Sequence, residues 1–302
     1  MTGAPPTDTI LTGMPSLPGL YRQALMLAAQ RRVGRAATPS VIPAARHRVD
    51  GAGIDLGALT RFQHLLGSAA RDQVPSAYLH TIAFPVAMSV LARDDFPLPL
   101  LGMVHLSNEV HQKRQVSAFE TLGVVAFAED LRAHAVGTQV SVVTEVSVGT
   151  ERVWTGRSMY LARGVHLGGA GPWDPSHEGR PAFWAPAPTA LWRLDAGIGR
   201  RYAAVSGDWN PIHLSGPTAK ALGMKSAIAH GMYLAARMVE QAAVAPAGAM
   251  DWRIDFAAPV RLPGWVTTSF TRTGAGGGVR VAAVGWSAER RRPHFTGWVR
   301  AE

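Results

Sequence analysis

The chain has 302 residues, of which 47% are apolar and 17% are charged. This length and composition are typical of one large or two ordinary globular domains, and they exclude disorder across the whole chain. The lack of cysteine excludes disulfides, cysteine–metal sites and thiol nucleophiles. It also fits a reducing compartment. The first residues lack a signal-peptide pattern, and no window approaches the roughly 20 uninterrupted apolar residues of a membrane helix. A cytoplasmic protein without a membrane span is therefore expected.

The formal net charge is +9, and most of it comes from arginine. Such a charge favours anionic partners, among them nucleic acids, acidic carrier proteins and phosphorylated small molecules. The basic residues are scattered, however, and their tightest clusters are the short runs 31–32 and 290–292. The sequence has neither an aromatic-interleaved basic stripe nor zinc-finger spacing. Nucleic acid is therefore not an expected partner.

The first half of the chain reads as two helices and a set of strands. Residues 1–15 are rich in proline, glycine and threonine and predict irregular structure. Residues 19–32, GLYRQALMLAAQRR, have helical apolar spacing and a basic end that suits the helix dipole. An apolar helix is predicted over 81–92, TIAFPVAMSVLA. Four strands follow it, with the sequences MVHLSNEVHQ, TLGVVAFAEDL, TQVSVVTEVSV and RVWTGRSMYLA.

A proline- and glycine-rich stretch then divides the chain. We predict an N-terminal domain over 1–163, a linker over 164–189 and a C-terminal domain over 190–302. The second domain repeats the order of the first, with an apolar helix over 229–243 and four strands after it. A run of glycines at 274–278 lies between two of these strands. It predicts a hairpin turn, because it lacks the Lys-Ser/Thr and the following helix of a phosphate-binding loop.

The two halves also match locally. IAFPVAM at Ile82 aligns with IAHGMYL at Ile228, and Arg114 aligns with Arg261 at nearly the same offset. The shared element order and these matches favour an internal duplication. Both helices are apolar nearly all round, as burial within the concave face of a curved sheet requires. The predicted fold class is α+β, with two antiparallel sheets that each wrap around a central apolar helix.

The residues with chemical potential concentrate in one stretch, SGDWNPIHLSGPTAKALGMKSAIAHGM, at 206–232. Gly207 and Pro211 predict a shaped turn, and Pro211 moves Asn210 away from helical geometry. Asp208 and His213 would not share a face of a helix, but a bent loop can point both into one pocket. A carboxylate beside an imidazole is the minimal general acid/base pair.

Other residues of the stretch could support this acid/base pair or bind the substrate. Asn210 can orient a neighbour, and Ser206 can cap or bond locally. Gly231 lies at the start of the second apolar helix, where free backbone N–H groups and the helix dipole favour negative charge. An N–H there could stabilise an enolate-like transition state, although close packing against the sheet would also explain a glycine. This arrangement suits proton transfer beside a thioester carbonyl.

The first half lacks these features. The residue aligned with Gly231 is Pro85, which has no N–H to donate. The preceding residues, GSAARDQVPSAYLHTIAF, contain nothing like Asp-x-Asn-Pro-x-His. If the halves are duplicates, the first is expected to shape the substrate pocket, and only the second carries the chemistry.

The stretch YAAVSGDWNPIHLSGPTAKALGMKSAIAHGM, at 202–232, resembles the signature of the MaoC-like or (R)-specific enoyl-CoA hydratases, in particular their double hot-dog branch of fatty-acid metabolism. The resemblance implies reversible hydration of a trans-2-enoyl thioester, carried by CoA or acyl carrier protein, to the (R)-3-hydroxyacyl thioester. It implies no cofactor. The catalytic residues would be Asp208, His213 and Gly231, with Asn210 in support. Some members carry a serine eight residues after the glycine, where this chain has Val239.

Substrate contacts are assigned to Ser206, Gly207, His230 and Lys220, although His230 could equally be structural and Lys220 a solvated surface residue. The remaining histidines are interpreted as structural; they include His80, His105 and His111. No His/Asp/Glu spacing is typical of a metal site. Two alternatives stay open, namely a hot-dog acyl-CoA thioesterase and a non-catalytic acyl-thioester binding subunit. A homodimer is possible, since two hot-dogs in one chain already imitate the usual dimer.

Overall fold

Six α-helices and eleven β-strands make up the regular structure of a computed structural model that describes residues 7–34, 38–168, 170–171, 183–244, 248–275 and 278–301. In chain order they are β1 (Thr7–Ile10), α1 (Leu17–Arg32), β2 (Ala45–Ala52), α2 (Leu56–Leu65), α3 (Ser76–Leu91), β3 (Val104–Gln112), β4 (Leu122–His134), β5 (Gly137–Val148), β6 (Glu151–Arg163), β7 (Ala190–Leu194), α4 (Ile198–Ser206), α5 (Gly216–Ala221), α6 (Gly231–Gln241), β8 (Met250–Phe256), β9 (Gly264–Ala275), β10 (Gly278–Ser287) and β11 (Arg292–Ala301).

These elements form two compact units that are not contiguous in sequence. The first unit comprises residues 1–53, 82–108 and 121–179, and the second comprises 54–81, 109–120 and 180–302. Segments 54–81 and 109–120 thus group with the C-terminal half, whereas the sequence division placed them in the first domain. Of the predicted linker, residues 169 and 172–182 lie outside the described residues.

The first unit has the strand order β1-β2-β4-β5-β6-β3, and residues 109–112 at the end of β3 are grouped with the second unit. The pairs β2–β4, β4–β5 and β5–β6 are antiparallel, and β1 joins the edge in parallel to β2. All four predicted strands of this half are confirmed. β2 was not predicted, because its sequence ARHRVDGA lacks an apolar alternation even though every second residue at its start is buried or nearly so.

The apolar helix of the first half is α3, and it begins earlier than predicted. The sequence placed its start at Thr81. In the structure the helix starts at Ser76, and Pro85 lies within its interior. Gly231, by contrast, is the first residue of α6. The aligned positions therefore do not occupy equivalent places in their helices, and the comparison of Pro85 with Gly231 carries no weight.

The second unit contains the antiparallel order β8-β11-β10-β9-β7. Its predicted strands and helix are confirmed, with α6 buried along most of its length. Trp192 on β7 and Trp252 on β8 are fully buried in its core. The predicted glycine-run hairpin is confirmed at its flanks, because Ala275 pairs with Gly278. Residues 276–277 lie outside the described residues.

Apolar and polar contacts hold segment 54–81 within the second unit. The buried ring of Phe62 on α2 lies 6.3 Å from that of Tyr202 on α4. Arg71 Nη2 donates to both carboxylate oxygens of Glu240 on α6, at 2.9 and 2.8 Å. None of the helices in the described ranges is long and apolar enough to cross a membrane.

Candidate active site

The polar stretch begins where α4 ends. Gly207 caps the helix in the left-handed region with φ of 73°, and its N–H donates to the Ala203 carbonyl at 2.8 Å. Glycine adopts this conformation without the steric penalty of a Cβ. Ser206 Oγ then accepts a hydrogen bond from the N–H of Asp208 at 3.2 Å. The helix end and its cap therefore fix the direction in which the chain carries Asp208.

Two side chains shape the turn that follows. The Asp208 carboxylate accepts from the N–H of Asn210 at 3.2 Å, and the Asn210 side chain accepts from the N–H of Ile212 at 3.3 Å. These are local side-chain to backbone bonds of the kind that stabilise turns. A short 3₁₀ turn over Pro211–His213 completes the bend. Asn210 therefore holds the turn between Asp208 and His213.

The environment of His213 determines which of its nitrogens is available. Its Nδ1 lies 2.8 Å from the carbonyl oxygen of Ile228. A carbonyl can only accept, so Nδ1 carries the proton and the Nε2 of the neutral ring keeps a basic lone pair. Burial lowers the pKa of His213, and the nearby Asp208 charge and the Ile228 carbonyl oppose that effect. The ring is therefore a neutral base held in one orientation.

His230 lies directly against His213. The two ring centroids are 3.7 Å apart with an angle of 27° between the ring planes. His230 Nε2 donates to the backbone carbonyl of Asp208 at 3.0 Å and lies 3.8 Å from one Asp208 carboxylate oxygen. Burial, followed by the neighbouring His213, lowers the pKa of His230 to about 3. His230 is therefore neutral and ties the start of α6 to the Asp208 loop.

Gly199 on α4 allows a close approach to His213 that the sequence did not indicate. A Cβ at this position would lie 1.9 Å from the carbonyl oxygen of His213. The 3₁₀ turn can approach α4 this closely only because Gly199 has no side chain. A glycine in the first turn of a short helix is the only trace of this requirement in the sequence.

We expect Gly199→Ala to lower kcat by about 10- to 100-fold with little change in KM, because a shift of about 1 Å in a catalytic group can have such an effect. Gly197→Ala is the matched control, since the nearest atoms to a Cβ there are the ends of the Arg201, Asp195 and Arg200 side chains and not backbone. Steady-state kinetics of the two variants test this. Equal activities in the two variants would show that the close approach does not position His213.

Gly231 opens α6, and its preceding residue His230 provides no side-chain cap. The first N–H groups of an α-helix have no partner within the helix, so the Gly231 N–H is a candidate donor to a ligand. The glycine is also closely packed, since a Cβ would lie 2.9 Å from Cζ of Phe256. Both explanations considered for this glycine are therefore compatible with the geometry.

One possible ligand atom from each of Asp208, His213 and His230 lies within 4.8 Å of the others. The sequence spacing did not predict this cluster. Metal ions of the zinc type need converging lone pairs at about 2.0–2.2 Å. His230 Nε2 instead donates to the backbone carbonyl of Asp208, so that nitrogen has no lone pair to offer a metal ion. The cluster is better suited to a water molecule, which is held at about 2.8 Å from each partner.

The other residues predicted to contact the substrate differ in how far they are exposed. Ser206 is buried and Gly207 is half-buried, and both belong to the turn itself. Lys220 lies exposed on α5. Val239, which replaces the serine of some relatives, is half-buried on α6.

Buried neutral histidines predict a specific dependence of stability on pH. Burial lowers the pKa of His80 to about 4, as it lowers that of His230 to about 3, from an ordinary value of 6.5. The unfolded chain therefore binds protons at these groups before the folded chain does. Their contribution to stability is complete above about pH 6.5 and is lost as the pH falls towards 4 and then 3.

We expect the free energy of unfolding in urea to fall between pH 7 and pH 4.5. The free energy of unfolding of His80→Asn should fall less steeply than that of the wild type. The two slopes should differ by up to about 1.4 kcal/mol per pH unit in that window. The difference between the two curves removes the contribution of the carboxylates they share. Parallel curves would show that His80 is not neutral in the folded chain.

Comparisons with known proteins support the resemblance carried by the 202–232 stretch. Residues 194–287 match the family model described as the MaoC like domain. Over 252 residues the chain is 33% identical to 3-hydroxyacyl-thioester dehydratase X of Mycobacterium tuberculosis. The matched region covers 82% of this chain and 86% of that protein. The crystal structure of HtdX from the same organism is 30% identical, with a TM-score of 0.70, and covers 84% of this chain and 98% of that one.

More distant structures share the fold alone. A MaoC-like dehydratase from Phytophthora capsici is 18% identical with a TM-score of 0.64, and the match covers 85% of this chain and 95% of that one. A Mycobacterium tuberculosis protein described as having a double hotdog fold is 15% identical with a TM-score of 0.52, over 84% of this chain and 94% of that one. The predicted α+β double hot-dog fold is confirmed, and the chain belongs to the MaoC-like dehydratase family of lyases.

Proposed function

We propose that the protein catalyses the reversible hydration of a trans-2-enoyl thioester to the (R)-3-hydroxyacyl thioester. The single observation that carries this proposal is the meeting of the Asp208 carboxylate and the neutral His213 ring in one cluster. The relative named 3-hydroxyacyl-thioester dehydratase X supports the reaction class. CoA and acyl carrier protein are the two proposed carriers of the substrate.

In this proposal a water molecule binds between the Asp208 carboxylate and His213 Nε2. The water oxygen bonds to C3 of the enoyl chain as one of its protons passes to the dyad. Negative charge collects on the thioester oxygen as an enolate, and the dyad returns the proton to C2. The reverse sequence dehydrates the 3-hydroxyacyl thioester. Each step uses water and groups of this chain, so the proposal includes no cofactor.

The stabilisation of this oxyanion is assigned to the backbone N–H of Gly231, which lies at the positive end of the α6 dipole. A preorganised backbone donor of this kind stabilises the charge that develops in the transition state. Asn210 holds the turn between the two dyad residues, and Ser206 and Gly207 set its entry. Lys220, which is exposed, is proposed to meet phosphate groups of the carrier. His230 is proposed to support the dyad by stacking on the ring of His213.

The test follows the absorbance of the enoyl thioester with crotonyl-CoA and with a long-chain enoyl-CoA, with chiral analysis of the product. We expect loss of absorbance and formation of the (R)-3-hydroxyacyl-CoA. A free-thiol assay in the same reaction separates the alternative function, because a thioesterase releases CoA. Tight binding without turnover of either substrate, also when presented on acyl carrier protein, would overturn the proposal in favour of a binding subunit.

A further inference from the structure

The ring of Phe256 lies against the start of α6. A Cβ added to Gly231 would lie 2.9 Å from Cζ, 3.1 Å from Cε1 and 3.3 Å from Cε2 of this ring. These three atoms form the tip of the phenyl group, so the tip of the ring points at Gly231. Because the Cα–Cβ bonds of an α-helix tilt towards its N-terminus, the ring tip occupies space on the N-terminal side of α6. The free N–H groups of the first helical turn point to the same side.

Hydrogen bonds hold the backbone that carries Phe256. This residue is the last of β8, where it pairs with Phe295 of β11. The N–H groups of Ala257 and Ala258 both donate to the carbonyl of His294, at 2.8 and 3.2 Å. The buried His294 ring donates in return from Nδ1 to the Ala258 carbonyl at 3.1 Å. The position of the Phe256 ring is therefore set by the sheet and by the bonded turn that follows it.

The chain after Phe256 is also joined to the chain before α6. The N–H of Ala229 donates to the carbonyl of Val260 at 2.8 Å, and the N–H of Leu262 donates to the carbonyl of Ala227 at 2.8 Å. The end of β8 and the start of α6 thus belong to one hydrogen-bonded framework. This framework fixes the distance between the ring and the helix start.

The Phe256 ring is half-buried and lies close to the backbone nitrogen of Gly231. By standard geometry a Cβ on Gly231 would lie about 2.5 Å from that nitrogen, which places Cζ of Phe256 within about 5.5 Å of it. A thioester oxygen that accepts from this N–H would lie about 2.9 Å from the same nitrogen. The carbonyl carbon and the atoms bonded to it would then come within van der Waals reach of the ring.

We propose that Phe256 is a specificity-determining residue, whose ring restricts the substrate to thioesters without a substituent at C2. The proposal rests on the proposed function, in which the Gly231 N–H holds the thioester oxygen and the dyad exchanges a proton at C2. Because C2 is bonded to the carbonyl carbon, a methyl group on C2 widens the substrate beside the oxyanion donor. The ring already occupies the space of one added carbon at Gly231. A methyl group on C2 meets the same ring and moves the thioester oxygen away from the N–H.

The test compares the dehydration of an (R)-3-hydroxyacyl-CoA with that of its 2-methyl derivative, followed by the absorbance of the enoyl thioester. The chain length is the one that the wild type turns over faster in the hydration assay. Dehydration is the suitable direction, because a 2-methyl group stabilises the alkene product. The measured quantity is kcat/KM for the unbranched substrate divided by kcat/KM for the branched one. Comparing this ratio between variants cancels the intrinsic reactivities of the two substrates.

We expect Phe256→Ala to lower this ratio about 10- to 100-fold, the range for one methyl-sized group in an apolar pocket. Phe256→Leu should lower it less, because leucine fills part of the space of the ring. Phe270→Ala is the matched control and should leave the ratio unchanged. Phe270 is also half-buried in the second unit, but its ring lies near Trp192 on β7, with 6.4 Å between the ring centroids.

The outcomes separate this inference from the proposed function. If the wild type dehydrates the unbranched substrate and a folded Phe256→Ala variant has the wild-type ratio, the function stands and the inference is overturned. A fall in the ratio that Phe270→Ala shows equally would also overturn it, because the effect would then come from loosened packing. If thermal unfolding shows that Phe256→Ala does not fold, the ratio of Phe256→Leu decides in the same way. A wild type without turnover of any 3-hydroxyacyl or enoyl thioester, on CoA or on acyl carrier protein, would overturn both.

Discussion

Asp208→Asn and His213→Ala are each expected to lower kcat for hydration by about 10²- to 10⁴-fold, the range for loss of a general acid or base. Asp208→Asn keeps the size of the side chain and its acceptor oxygen but removes the negative charge. His213→Ala removes the Nε2 lone pair that the Ile228 carbonyl leaves free. KM should change much less than kcat in both variants, because neither group is assigned to the binding of the carrier.

The double variant provides the stricter test. Residues that act as one unit are not additive, so Asp208→Asn/His213→Ala should be about as slow as the slower single variant. Multiplicative losses would show that the two groups act at separate steps. Circular dichroism and melting temperature serve as the folding control, because His213 also ties its turn to Ile228. Either single variant with wild-type turnover would contradict the assigned dyad.

The dyad also determines the acid limit of activity. Burial lowers the pKa of His213, so its neutral form persists at pH values where an exposed histidine is already charged. Activity that depends on neutral His213 should therefore extend below the ordinary histidine pKa of 6.5 and decline only at lower pH. This is the direction expected of a base that is kept neutral by burial.

Much of this site could be predicted from the sequence because its residues are close together in the chain. Gly207, Pro211 and Asn210 carry their own turn chemistry, so a bent loop follows from residue types alone. The tautomer of His213 could not be predicted, because it depends on the carbonyl of Ile228, fifteen residues later. The stacking of His230 on His213 depends on the same return of the chain.

The fold was predictable in its order of elements and less so at their boundaries. The strands with apolar alternation were found, whereas β2, with its run of charged residues, was not. The position of segment 54–81 was misjudged because unit membership depends on contacts between distant residues, such as that of Trp252 with Ser76.

The second large effect is expected at Gly231, where packing and catalysis must be separated. A Cβ there would lie 2.9 Å from the Phe256 ring, so a single Gly231→Ala variant combines a clash with any effect on the N–H. Phe256→Leu shortens that side chain and makes room. In this background, Gly231→Ala keeps the backbone N–H, and Gly231→Pro removes it.

Proline is suited to this comparison because the backbone already accepts it. Gly231 is the first residue of α6, where proline lacks only an N–H that the helix does not use. His230 before it has φ of −63° and ψ of 135°, the extended conformation that a residue before proline prefers. We expect Gly231→Pro/Phe256→Leu to lower kcat about 10²- to 10³-fold relative to Gly231→Ala/Phe256→Leu, the range for loss of one oxyanion donor. Equal kcat values in two folded double variants would show that Gly231 serves packing alone, and the oxyanion would then have to be stabilised elsewhere in the second unit.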